Sequence, residues 1–194
     1  MPFSRQGIAC FRDDFSGGEV AFHSPREIIT AWEPDDFLPA LARIEKARHA
    51  GLWLAGYLSY EAGYLLDPAL ESLLPDNRNA PLLCFGVFDG PANAPLPQPT
   101  GTGSLTAPQA TWSSSDYRQR FDALHRHLRQ GDCYQANLTF PVEAQWQGDP
   151  LALFLALQER QQVSHAAFID LEGPVVLSRS PELFFDLAPD RWIK

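Results

Sequence analysis

Basic charge is scarce in this chain, and so are sulfur and long apolar runs. Its 194 residues hold 15 Lys and Arg against 24 Asp and Glu, a formal net charge of -9. A surface of that sign repels phosphate backbones, and no Lys/Arg-rich run offsets it, so a nucleic-acid partner is not expected. Three cysteines, at positions 10, 84 and 133, form no close pair. A sparse, odd set in apolar, strand-like surroundings reads as reduced, buried and inert thiols in a cytosolic protein. No stretch approaches the roughly 20 apolar residues of a membrane span. The opening MPFSRQGIACF has no apolar run of signal-peptide length. No membrane partner and a cytoplasmic location are therefore expected. Cys-x-x-Cys, phosphate-loop and nucleophile-elbow patterns are missing as well. His125 and His127 stand two apart on a predicted helix and do not share a face, so they read as a solvated face and not a metal pair.

What is present is material for a core. The chain is 45% hydrophobic, 20% charged and 12% aromatic, with five Trp and thirteen Phe. Rings at that density fill a core or line a pocket. One stretch, residues 90–110 (GPANAPLPQPTGTGSLTAPQA), is too rich in Pro, Gly, Ser and Thr to hold a helix or a central strand. It divides the chain into an N-terminal unit, 1–89, a linker, 90–110, and a second unit, 111–194.

In the first unit, IACFRDDF predicts a strand and DFSGG a turn. VAFHSPREIITAW predicts strands on either side of Ser24-Pro25. Pro34, with acidic neighbours, opens a helix whose apolar positions Phe37, Leu38, Leu41, Ile44 and Ala47 recur at helical spacing until Gly51. LWLAGYLSY and PLLCFGVF predict strands apolar enough to be covered on both faces. Glu61 follows the first of these and is expected beside aromatic rings, where a buried carboxylate needs a partner. In the second unit, serines 113–115 cap a helix striped by Tyr117, Phe121, Leu124 and Leu128 and closed by Gly131. A long strand is predicted over 133–146, then a helix from Asp149-Pro150, a hairpin through HAAFIDL and PVVLSRS, and a further strand over 183–187. Tight turns with interspersed helices make an α+β fold with largely antiparallel sheets.

Three strings in this layout are more specific. Gly131–Thr139 reads GDCYQANLT directly after the predicted amphipathic helix. Ser180–Leu183 reads SPEL directly after the hairpin. Ala55–Pro68 reads AGYLSYEAGYLLDP. Their order resembles the chorismate-binding family, which includes anthranilate synthase component I and aminodeoxychorismate synthase component I. The resemblance runs from about Ile8 to Leu187. It implies two antiparallel sheets packed face to face with helices outside. It also implies chorismate as substrate, magnesium in the intact enzyme with none held by this chain alone, and a partner glutamine amidotransferase subunit that supplies ammonia. Tyr134, Gln135, Asn137 and Glu182 are then the residues expected to support the substrate pocket. For the first three, anchoring of a long strand is the competing expectation. Glu182 has one too, as an acceptor fixing the Ser-Pro turn.

Some members of the family bind tryptophan. The Leu-Leu-Glu-Ser and Asn-Pro-Ser-Pro-Tyr strings of the anthranilate enzymes are missing here. Ser24 and Pro25, together with Ser164 and His165, are the positions left for an aromatic-ligand pocket. This departure favours the aminodeoxychorismate branch over the anthranilate branch. A non-catalytic aromatic-ligand module is the reading from another class. The family's Pro-Ile-Lys-Gly-Thr and Gly-His-x-Glu motifs are not found. Lys194 follows Trp-Ile and stands too soon after Ser-Pro-Glu, so it reads as an ordinary lysine at a strand end. The chain is accordingly expected to be an inactive N-terminal fragment, with an exposed apolar edge near Phe184-Phe185 that lowers its solubility.

Overall fold

The computed structural model describes residues 7–92, 96–188 and 192–193. Lys194 and residues 93–95 of the expected linker lie outside them. In chain order the elements are β1 (Ile8–Asp13), β2 (Gly18–His23), β3 (Glu27–Ala31), α1 (Pro34–His49), β4 (Trp53–Leu58), β5 (Leu83–Phe88), β6 (Gly103–Leu105), β7 (Gln109–Ala110), α2 (Ser114–Gln130), β8 (Val142–Glu143), β9 (Trp146–Gly148), α3 (Pro150–Arg160), β10 (His165–Asp170) and β11 (Val176–Ser180). Two 3-10 segments, Tyr60–Leu66 and Glu71–Leu73, sit between β4 and β5.

Two antiparallel sheets dominate. One has the order β11-β10-β1-β2 and the other β3-β5-β4. The hairpin of β1 and β2 is closed by Asp13, whose carboxylate accepts from the Phe15 amide (3.0 Å) and the Ser16 hydroxyl (2.7 Å). Alternation along β5 explains why that segment is apolar throughout. Leu83 and Val87 face one way and Cys84 and Phe88 the other, all at most 2% exposed. At Gly56 of β4 an added Cβ would stand 2.0 Å from the Cys84 carbonyl oxygen, so only glycine lets β4 lie this close to β5.

Three clusters of buried residues define four layers. Ala9, Phe22 and Ile169 of the first sheet meet Ala55, Cys84 and Phe88 of the second between the sheets. The Phe22 and Phe88 ring centroids are 5.2 Å apart. α1 covers the outer face of the second sheet through Phe37 and Ala40. It begins at a capping box formed by Glu33 and Asp36, with Pro34 in its first turn. α3 covers the outer face of the first sheet through Leu151 and Phe154, against Ile8, Cys10 and Phe168. The fold is therefore α+β, an antiparallel sandwich with helices outside.

Several local expectations change. The stretch 90–110 holds β6 and β7, which pair with β9 and β8 in two short ladders. It does not separate the sheets. β10 and β11, from beyond it, complete a sheet begun by β1 and β2. Residues 133–141 form no strand. Pro141 has no N–H to donate to a ladder, and Phe140 turns back to stack on Trp112 with ring centroids 5.1 Å apart. Only β8 and β9 remain of the expected long strand. Residues 183–187 form no strand either: a single bridge joins Leu187 to Ile193. Cys133 is half-buried and not enclosed as expected, whereas Cys10 and Cys84 are buried. Burial, with help from Glu19 and against Arg12, pushes the Cys10 thiol up to about 12.

Candidate functional site

The segment GDCYQANLT hangs from the end of α2. Ser113 opens that helix: its hydroxyl accepts from the Asp116 amide (3.2 Å), and its own amide donates to the Asp116 carboxylate (3.1 Å). Donation from the Ser113 hydroxyl, then from its amide, holds the Asp116 carboxyl below its ordinary value. Gly131 closes the helix in the left-handed region at φ 81°. Beyond it, His127 Nδ1 lies 2.8 Å from the Asp132 carboxylate, which ties the helix end to the segment that follows. The chain then doubles back along α2. Ala136–Thr139 and the stripe Tyr117, Phe121, Leu124 and Leu128 line a cleft of about 440 Å³. A second hollow of about 580 Å³, lined by Trp112, Tyr117, Phe121 and Phe140, continues along the same face. No residue of α2 is fully buried. The stripe expected from the sequence is present, and it faces this aromatic cleft.

Tyr134 is 97% exposed, and Gln135 and Asn137 are exposed. Of the three, only Asn137 lines the cleft. Anchoring of a long strand is not their role, because that strand does not form. Glu182 is exposed at the turn after β11. The turn is fixed by Ser180, whose hydroxyl donates to the Glu182 carbonyl (2.9 Å) and accepts from the Glu182 amide (3.3 Å). Glu182 thus joins the turn through its backbone, which leaves the carboxylate free of that duty. Glu61 is half-buried in the 3-10 segment after β4.

The aromatic-ligand pocket is not assembled from the four residues expected for it. Ile8 pairs with His23, so Ser24 and Pro25 lie at the start of β1, and Pro25 packs on Gly7. Arg12 pairs with Ala166, so Ser164 and His165 lie at its other end. Five residues of strand, about 17 Å, separate the two pairs.

Two buried polar clusters were not visible in the sequence. Asp149, 7% exposed, caps α3 and accepts from the Thr100 amide (2.7 Å), the Thr100 hydroxyl (3.1 Å) and the Leu151 amide (2.8 Å). Burial pushes its carboxyl up, but these donors outweigh burial and hold it below the ordinary range. Asp14, with a fully buried side chain, pairs with Arg179 (2.5 Å) and accepts from the Val163 amide (2.9 Å). Asp14 reads as the start of a plain turn and Arg179 as one residue of a strand, so only their pairing across the sheet reveals this cluster.

Among the described residues no three His, Cys, Asp or Glu side chains converge to hold a metal. No step is derived through the magnesium that the resemblance implies. Nor, among those residues, is any helix long and apolar enough to cross a membrane.

The sequence pattern of the family described as chorismate binding enzyme matches residues 91–194, more than half the chain. The chain belongs to the chorismate-binding family. Among curated relatives, the chain is 37% identical over 79 residues to "Aminodeoxychorismate synthase component 1" of Klebsiella aerogenes, covering 41% of this chain and 18% of that one. It is 36% identical over 76 residues to the protein of the same name from Escherichia coli (strain K12), covering 39% and 17%. The longest of these matches is to "Aminodeoxychorismate synthase" of Streptomyces pristinaespiralis, 32% identical over 218 residues, covering 92% of this chain and 30% of that one. The chain therefore spans less than a third of the length of these relatives. The family match takes in α2 with its returning loop, the α3 layer and the Ser-Pro-Glu turn, so the cleft and the turn lie in the chorismate-binding part. The longer match also takes in much of the second sheet and α1.

Proposed function

We propose that this chain supplies the sandwich and the opening segments of the chorismate pocket of an enzyme that aminates chorismate to 4-amino-4-deoxychorismate, on the way to 4-aminobenzoate and folate. The observation that carries the reading is the match to an aminodeoxychorismate synthase across 92% of this chain. The order of α2, GDCYQANLT and Ser-Pro-Glu supports it. In this reading Asn137, on the cleft wall, and Glu182, at the free turn, face the substrate side, while Tyr134 and Gln135 lie next to them on the same loop. A partner glutamine amidotransferase supplies ammonia, in keeping with relatives named as component 1. The acidic balance of the chain, its unpaired cysteines and its apolar core suit a cytoplasmic enzyme.

The chemistry sets a requirement. Replacing the ring hydroxyl by ammonia needs acid assistance to the leaving group and countercharge for the substrate carboxylates. The 194 residues carry neither Pro-Ile-Lys-Gly-Thr nor Gly-His-x-Glu, and the titratable groups at the hollows, His125 at the cleft and Asp122 at its neighbour, stand on the solvent-exposed side of α2. We therefore assign these residues to binding and not to turnover, with magnesium held only in the intact enzyme. The test is incubation with chorismate, an ammonium salt and magnesium, followed by mass spectrometry. Chorismate is expected to remain unconverted in the presence of this chain alone. Formation of 4-amino-4-deoxychorismate would overturn the binding-only assignment, and formation of anthranilate would move the chain to the other branch of the family.

A further inference from the structure

Within the Ser180-Pro181-Glu182 turn the Ser180 hydroxyl holds the Glu182 backbone. Residues 181–187 are all exposed and form no strand, so what ties the turn to the body of the protein is the end of β11, where Arg179 reaches into a buried cluster. Its own anchoring is extensive. Arg179 is 10% exposed at its side chain, pairs with Asp14, donates to the Gln161 carbonyl at the end of α3, and lies over the Phe154 ring at 5.7 Å. Asp14 is fixed in turn by two hydrogen bonds with Val163, one through its backbone amide and one through its carboxylate. The Asp14 amide donates to the Val163 carbonyl (3.0 Å), and the Val163 amide donates to the Asp14 carboxylate (2.9 Å). Arg12, 3.4 Å from the same carboxylate, and Glu19, 3.3 Å from Arg12, continue the network along the β1–β2 hairpin. One buried carboxylate near the start of the chain thus meets the end of β11, the end of α3 and the start of β10 at a single point.

We propose that Asp14 and Arg179 form a latch that positions the Ser180-Pro181-Glu182 turn, and through it the Glu182 carboxylate. This rests on reading that turn as part of the chorismate pocket. Neither latch residue touches substrate. Both are positioning residues, and the N-terminal hairpin takes part in the binding site through them. The chemistry is charge-assisted: one guanidinium nitrogen, Nη2, donates to both the Asp14 carboxylate and the Gln161 carbonyl, while the planar group lies over the Phe154 ring.

The test uses the 194-residue protein with Asp14→Asn, which removes the charge and keeps the shape, and Arg179→Lys, which keeps the charge and removes the planar group over Phe154. Backbone order at Glu182 is read by ¹⁵N relaxation, and chorismate affinity by titration. In the wild type, Glu182 should be as rigid as the β10 amides, with an order parameter of about 0.85, and in both variants it should fall below about 0.6. The amides of β5 and β10 should remain ordered in the variants. Chorismate affinity should weaken by about tenfold or more, as expected when a binding group is misplaced from a distance. Three results would overturn the latch: a mobile Glu182 in the wild type, an unchanged Glu182 in folded variants, or loss of order throughout both sheets. Absence of chorismate binding to the wild type would instead count against the pocket reading, and the relaxation data would still decide the latch.

Discussion

At the scale of single residues, Asp149 controls more of the molecule than its place in the sequence suggests. Its carboxylate satisfies the first turn of α3 and at the same time holds Thr100, at the far side of the stretch that carries β6. Asp149→Ala should lower stability by about 2 kcal/mol, an N-cap plus a stranded amide, read as a shift in the denaturation midpoint. The pH dependence follows from the depressed titration of this carboxyl. A carboxyl depressed in the folded state stabilises fully above the unfolded value, about 3.9 for Asp, and that contribution is lost as pH falls through the lower folded value. The wild type should therefore lose stability on acidification through this range more steeply than the variant. Equal slopes would show that Asp149 is not the responsible group. Asp149 was legible as the opening of a helix, because Asp-Pro before an apolar run is a local signal. Its second partner, Thr100, was not legible, because a contact across 49 residues leaves no local trace.

At the scale of elements, the same division between local and distant information recurs. α1, α2 and α3 follow from spacing and caps, and the ends of α1 and α2 from Gly51 and Gly131. β5 follows from its unbroken apolar run. The segment 133–146 misleads because Cys, Tyr, Leu, Thr, Phe and Val all favour strands, whereas a strand needs a neighbour and Pro141 denies the ladder a donor. The expected aromatic-ligand pocket failed for a related reason. Ser24-Pro25 and Ser164-His165 each sit at a strand end, and only the register of β1 against both neighbours shows that they are different ends. α2 stands apart energetically. It buries no residue fully, and its stripe packs on a loop through Trp112, Phe140 and Tyr117. Hydrogen exchange should show α2 opening well before β1, β5 and β10, since local stability tracks buried apolar contact. Protection of α2 equal to that of β5 would mean that the aromatic cleft holds the helix far more firmly than its exposure indicates. Binding of chorismate in the cleft should raise α2 protection selectively, because a ligand that favours the closed form is linked to its stability.

At the scale of the whole molecule, the sandwich was readable as a class and not as a topology. An α+β fold with largely antiparallel sheets follows from the pattern of strands, turns and helices, and the face-to-face packing with helices outside only from the family resemblance. The joining of β1 to β10 does not, because it brings together residues more than 150 positions apart. That pairing matters for function. It puts the β1–β2 hairpin in one sheet with β10 and with β11, the strand that leads to Ser-Pro-Glu, so a stretch outside the family match helps to shape the one inside it. The central claim is that this combined body recognises chorismate through the α2 cleft and the Ser-Pro-Glu turn, and not a free aromatic amino acid. Calorimetric titration of the protein with chorismate, and separately with tryptophan, tests it most directly. The account predicts saturable heat with chorismate and none with tryptophan. Saturable tryptophan binding without chorismate binding would contradict it and identify the chain as an aromatic-ligand module.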